Sequence, residues 1–380
     1  LEGTVGIGEG LSPAFALNAL AARPGGVVDE VTAMKNAKDN DLGNAWLSRN
    51  SAGSGPFVLR AWRPNEVVVL EASPTHYAGA PTIKQVVMNH VVEATAQRLM
   101  IERGDIDIAR NLGPDQIEAL KGKAGVRVET LPGATIHFVS FNVKHEKLRN
   151  PALWEAMRYL VDYDGIANTL MRGQFKVHQT FWPEGFAGAV TERPYKLDVA
   201  KAREIMAKGN VPANLAIDLD IINSAPFPEI AQSMQATFAQ GGIKLNLLPA
   251  TSAQVITRYR ARTHEGMLLY WGPDFMDPHS NAKAFAYNVD NSDGNYQSTT
   301  TWRNSYMPPP DISKKTMAAL AERDPEKRLQ MYRELQQHVL KESPWVTTFQ
   351  AQWQFAIRDN VKGFIHGPFA DYVRYDKVTK

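Results

Sequence analysis

From Leu215 to Trp271 the sequence switches repeatedly between strand-like and helix-like periodicity, and this restricts the fold more than any other feature. Leu215 to Ile222 reads as a strand. Pro228 to Gln240 reads as a helix ending at Gly241-Gly242, and Ile243 to Leu248 as a second strand. Ser252 is expected to cap a helix reaching about Arg262, after which a third strand starts at Met267. Alternation of this kind implies a mainly parallel sheet with helices on its faces. The third strand is a continuous apolar run, Met267-Leu268-Leu269, as in a strand covered on both sides. Gly272-Pro273 then breaks it. Tyr270 and Trp271 therefore fall at its end, pointing to opposite sides if the strand is regular, with Asp274 and Asp277 on the turn beyond. Ligands of open α/β sheets bind beyond the carboxyl ends of the strands. Flat aromatic walls beside an acid suit an organic ligand with a cationic or hydrogen-donating head.

The segment Trp271-Gly-Pro-Asp-Phe-Met-Asp-Pro278 resembles the Trp-Gly-x-Asp-x-x-Asp-Pro signature of the bacterial extracellular solute-binding proteins of family 5. These are the peptide, opine and nickel receptors of ABC importers. Three further stretches are similar to that family: Gly53-Ser-Gly-Pro-Phe57, the run Gln97-Arg-Leu99 followed by Arg103-Gly-Asp-Ile-Asp-Ile-Ala109, and the segment from Asn150-Pro151 to Gly165-Ile166. The resemblance implies an α/β, periplasmic-binding-protein type II-like fold. Residues 1–138 and 356–380 would form a larger lobe and 139–355 a second one. Two crossings, near Phe141 and Asn142 and near Gln350, would act as a hinge, with a ligand cleft between the lobes. It also implies a periplasmic location with any secretory signal absent from this chain, a peptide or small-molecule ligand, and ABC permease subunits as partners. Relatives carry a further N-terminal section, so the chain is expected to be a fragment or a processed form.

In peptide-binding members of the family, the acid matching Asp274 holds the peptide's amino terminus. Without the resemblance, Asp274 reads first as the cap of a turn. Trp271 is either a ligand wall or a core residue. Dipeptide-binding relatives pair the peptide carboxylate with an Arg just before a Pro. Here that position is Ala225, in Asn223-Ser-Ala-Pro-Phe-Pro228, and Ala cannot grip a carboxylate. A longer peptide, an opine-like conjugate or a sugar-containing solute is then expected, with Ser224 offering a hydroxyl.

Elsewhere, Phe57 to Trp62 and Glu66 to Glu71 read as paired strands about Arg63-Pro64-Asn65, and Ala94 to Arg103 as a helix ended by Gly104. Asn150-Pro151 opens a strong helix. Arg158 and Asp162, four apart, read as a surface salt bridge. A short helix is expected from Ser12 to Leu20 after a glycine-rich run at Thr4 to Gly10. The stretch Tyr287 to Pro310 reads as a long polar loop, functional or mobile. Within it, Trp302 and Arg303 are candidates for contact with an anionic part of the ligand, or simply hold their own loop.

Several chemistries find no support. The chain has no Cys, which removes disulfides and thiolate catalysis. With 42 basic and 40 acidic residues the net charge is +2, so no nucleic-acid partner is expected. His264-Glu265 lacks the second His of a zinc helix, and Gly6-Ile-Gly-Glu-Gly10 lacks the frame of a dinucleotide site. No cofactor, metal or catalytic constellation is expected, and the chain reads as a monomeric binding protein. The alternatives are an α/β hydrolase-like enzyme acting in the cleft and a ligand sensor with a receptor fold.

Overall fold

The computed structural model describes residues 28–368 and 372–380. The readings at Thr4–Gly10 and Ser12–Leu20 lie outside the described residues. Those described divide into two compact units, one from 28–131 with 353–380 and the other from 132–352. The chain passes from one to the other at 131/132 and back at 352/353, beside the boundaries of 138/139 and 355/356 expected above.

In the first unit, Asp29 caps α1 (Glu30–Lys35) by accepting the Thr32 N–H at 2.7 Å. A single turn, α2 (Asn44–Leu47), follows. Three strands then pair antiparallel in sequence order: β1 (Phe57–Arg63), β2 (Val67–Ala72) and β3 (Gln85–Asn89). The β1–β2 turn is tight because Asn65 adopts φ 60°, a left-handed conformation that Asn tolerates. α3 (Ala94–Arg103) stops at Gly104, φ 82°, the usual glycine stop. β4 (Ile108–Arg110) and α4 (Pro114–Leu120) complete a small core in which Ile101, Ala109, Ile117 and Leu120 meet Ala356 of the returning chain.

β5 (Val126–Phe141) runs for 16 residues and carries the chain into the second unit. Its burial is interrupted at first and continuous from Ile136 onward, as expected where a strand becomes covered on both faces. α5 (Pro151–Arg158) starts as anticipated, Asn150 accepting the Ala152 N–H at 3.0 Å. The expected surface bridge between Arg158 and Asp162 does not form. Arg158 is 1% exposed, donates to the Ser343 carbonyl and lies over the Tyr195 ring. Asp162 instead caps the next turn by accepting the Gly165 N–H at 3.0 Å. Helical spacing identified neighbours on a common face but not which face is covered.

After β6 (Phe175–Val177) and α6 (Val199–Lys208) comes the predicted alternation: β7 (Leu215–Ile222), α7 (Phe227–Gly241), β8 (Ile243–Ala250), α8 (Ser252–Arg260) and β9 (Gly266–Trp271). Thr251, not Ser252, caps α8, in a capping box with Gln254. α9 (His279–Ala286), α10 (Thr300–Arg303), α11 (Pro310–Ala321) and α12 (Pro325–Glu342) follow, and β10 (Trp345–Arg358) leads back to the first unit. The last two strands, β11 (Ile365–His366) and β12 (Val373–Arg374), pair there.

The main sheet of the second unit has the order β10–β5–β9–β7–β8, with β6 on the flank of β10. β7 is parallel to both β8 and β9, but β5 is antiparallel to β9. The sheet is therefore mixed, not mainly parallel. The local alternation specifies only the β9–β7–β8 trio, and the crossing strand β5 adds itself in the opposite sense. No helix among the described residues is long and apolar enough to cross a membrane.

Candidate functional site

Because β7, β8 and β9 are parallel, their carboxyl ends share one edge. β9 is held between β5 and β7, so its apolar run Met267–Leu269 is almost wholly buried. Burying each such side chain contributes roughly 1.5–3 kcal/mol. The strand is thus pinned, and its last two residues are delivered to the edge. Trp271 is in register with Ile136 and Tyr270 with His137, so Trp271 and Tyr270 stand on opposite faces, as the strand period requires.

On the first face, Trp271 is half-buried and meets Phe285 of α9 edge to face at 5.8 Å. Its indole N–H is buried without a hydrogen-bond partner among the described residues. Beyond it, Asp274 is exposed. Its backbone N–H donates to the Ser280 Oγ at 2.9 Å, and its carboxylate makes no hydrogen bond or ion pair among the described residues. Three residues on, Asp277 is the reverse case. It is 1% exposed, receives a bond from the Arg328 guanidinium at 2.7 Å and accepts the His279 N–H at 2.9 Å. Arg328 also donates to the Tyr332 hydroxyl at 3.2 Å, which contacts His279 Nδ1 at 3.1 Å. Burial pushes the His279 imidazole down to about 4. This network clamps the turn, so Asp274 is presented on a fixed support.

On the second face, Tyr270 is 51% exposed and lies 6.0 Å from both Phe227 and His137, ring to ring. His137 also meets Phe175 at 4.6 Å. Burial alone pushes its imidazole down to about 3, so it is neutral at physiological pH. Ser224 is exposed just past the end of β7, near this face through its neighbour Phe227.

Trp302 and Arg303 do not join this edge. They lie on α10, whose next residue, Asn304, bonds His264 at 2.9 Å, two residues before β9 begins. The six residues of β9 separate the two ends by about 17 Å. Trp302 is 3% exposed, its N–H donates to the Ser292 carbonyl at 3.2 Å, and Arg262 covers its ring at 4.4 Å. Arg303 is buried, with its guanidinium over Tyr259 at 5.2 Å. The stretch read as a loop from Tyr287 to Pro310 is bonded throughout, through Asn288 to the Tyr306 carbonyl and Asn291 to the Ser305 carbonyl. A concavity of about 600 Å³ opens here, lined among others by Lys144, Arg149, Arg262 and Asp293.

Phe141 and Asn142 lie at the inner end of β5, ten residues from the crossing at 131/132. Asn142 is bonded to the Arg262 and His264 carbonyls. Gln350 is two residues from the other crossing, fixed by the Gly133 and Glu184 carbonyls at 2.8 and 3.0 Å. Among the described residues no group of three or more acidic or imidazole side chains is arranged to hold a metal.

His137 and Phe227 were missed by sequence reasoning. The one available signal was a polar residue inside the apolar run Ile136-His-Phe-Val. Its pairing with Tyr270 depends on a register that spans more than a hundred residues.

The family model described as bacterial extracellular solute-binding proteins, family 5 Middle, matches residues 11–293. The chain is 29% identical over 367 residues to the probable D,D-dipeptide-binding periplasmic protein DdpA of Escherichia coli, covering 96% of this chain and 69% of that one. Among solved structures, the ABC transporter-associated periplasmic binding protein DppA of Helicobacter pylori, in complex with the peptide STSA, superposes with a TM-score of 0.84 at 19% identity. That match covers 97% of this chain and 70% of the other. The binding protein AgaA of A. tumefaciens, in complex with agropinic acid, superposes with a TM-score of 0.77 at 19% identity, covering 94% and 71%.

Proposed function

Since the chain belongs to the bacterial extracellular solute-binding proteins of family 5, we propose that it captures a peptide-like or small organic solute in the periplasm and delivers it to an ABC permease. Its fold is the α/β architecture of type II periplasmic binding proteins. The family binds solutes and is not one of enzymes.

In this proposal Asp274 receives a cationic head of the solute and Trp271 supplies an adjoining wall. The observation that carries it is the contrast three residues apart. Asp277 is paired with buried Arg328, while Asp274 keeps an exposed carboxylate with no partner among the described residues. An ammonium group from solution completes it. Ala225 offers no matching charge to a carboxylate, so recognition is centred on the amino end.

Titration calorimetry with alanyl-alanine, in its L,L and D,D forms, tests this. Acetylating the amine is expected to weaken binding by about thirtyfold or more, and amidating the carboxylate by less than about threefold. Asp274→Asn reproduces the loss for the free amine and adds nothing for the acetylated form. Unchanged affinity in Asp274→Asn removes this residue from the site.

A further inference from the structure

The second face of the same edge holds a group whose hydrogen bonding is unfinished. His137 is 6% exposed, and its Nδ1 is buried with no partner among the described residues. Its Nε2 makes no hydrogen bond among the described residues. The other buried histidines of this unit each have at least one ring nitrogen bonded: His178 to the Trp182 carbonyl at 2.9 Å, His264 to Asn304 at 2.9 Å, its Nδ1 left unpaired among the described residues, and His279 to Tyr332 at 3.1 Å. A neutral imidazole offers one donor and one acceptor, and folded proteins rarely leave such groups unsatisfied in the interior. The surroundings are flat and apolar: Phe175 at 4.6 Å, Phe227 at 5.8 Å and Tyr270 at 6.0 Å. Tyr270 is half-exposed and its hydroxyl has no partner among the described residues. The apolar packing is complete on the inner side, and the polar complement is missing at the rim.

We propose that His137, flanked by Tyr270 and Phe227, forms a subsite for an uncharged planar amide of the solute, such as a carboxamide side chain. The inference rests on the solute-binding reading above and adds a preference to it. An amide is flat enough to lie against the two rings. It also carries both an N–H and a C=O, matching an imidazole of either tautomer. A carboxylate is a poorer fit, because an imidazole held neutral by burial supplies no counter-charge.

The test compares L-alanyl-L-asparagine with L-alanyl-L-leucine, side chains of similar shape, by calorimetry. The wild-type protein is expected to bind the asparagine peptide about tenfold more tightly. His137→Phe reverses that preference, and Tyr270→Ala weakens both peptides. Asp274→Asn weakens both alike and leaves their ratio unchanged. The imidazole ¹⁵N resonances of His137 in the wild-type protein are expected to move with the asparagine peptide and not with the leucine one, a readout that stands even if His137→Phe does not fold. Equal affinities in the wild-type protein, a ratio unaltered in His137→Phe, or resonances that ignore the asparagine peptide overturn the subsite while leaving the Asp274 reading intact. Binding of neither peptide overturns both.

Discussion

At the entry of β9, Trp302 lies under Arg262 at 4.4 Å, Arg262 bonds Asp293 at 2.9 Å, and His264 bonds Asn304 at 2.9 Å. At its exit stand another Trp, Asp and His, namely Trp271, Asp274 and His137, and among the described residues none has a hydrogen-bond partner for its side chain. The two ends use the same residue types. At the entry each of these three side chains makes at least one hydrogen bond to the protein, and these bonds help to hold the segment from Tyr287 to Pro310. The exit leaves its polar groups open on a support braced by Asp277 and Arg328. A Trp beside an acid is thus no mark of a binding site by itself; what distinguishes the exit is that its bonding capacity is unspent.

The sharpest test of this contrast sets Asp277→Ala beside Asp274→Ala. The first strands a buried guanidinium and is expected to cost about 3–5 kcal/mol of stability, read as a lowered urea midpoint. The second is expected to leave the midpoint unmoved and to lose affinity for alanyl-alanine. Equal midpoints would show that Asp277 does not brace the turn.

A similar split separates the two tryptophans. Trp302→Ala removes a buried ring and is expected to cost about 3–5 kcal/mol, with affinity for alanyl-alanine kept within about threefold. Trp271→Ala is expected to cost less stability and to weaken binding by about tenfold. A loss of affinity in Trp302→Ala at full folding would make the entry part of the site.

The smallest effect is one of pH. Burial pushes His264 down to about 4, against 6.5 for the free imidazole. The folded protein therefore binds fewer protons than the unfolded chain between these values. The contribution is complete above pH 6.5 and is lost as the pH falls toward 4. By pH 5 the loss amounts to about 2 kcal/mol. His264→Gln, neutral at every pH, is expected to narrow the difference in urea midpoint between pH 7 and pH 5. An unchanged difference would mean that His264 titrates in the folded protein as it does in the unfolded one.

Much of the exit could be read before its structure was seen. The apolar run, the Gly272-Pro273 break and the alternation of Tyr270 and Trp271 are all local signals, and each has its counterpart in β9 and its turn. The same holds for the Asn150 cap and the Gly104 stop. Legibility failed where the partner lies far along the chain. Arg328 is 51 residues from Asp277, and Arg158 meets the Ser343 carbonyl 185 residues away instead of the acid four positions on. The parallel sheet inferred from the alternation became a mixed one because β5 joins it from outside that stretch.

Sequence alone determined the alternation from β7 to β9, the break after it, the Asn150 cap, the Gly104 stop and the family signature, because periodicity and capping act over a few residues. Tertiary structure decided which of two similar clusters is closed and which is open, and which histidine is left without a partner. Those outcomes depend on strand register and on burial against distant residues, and no spacing within a short window encodes either.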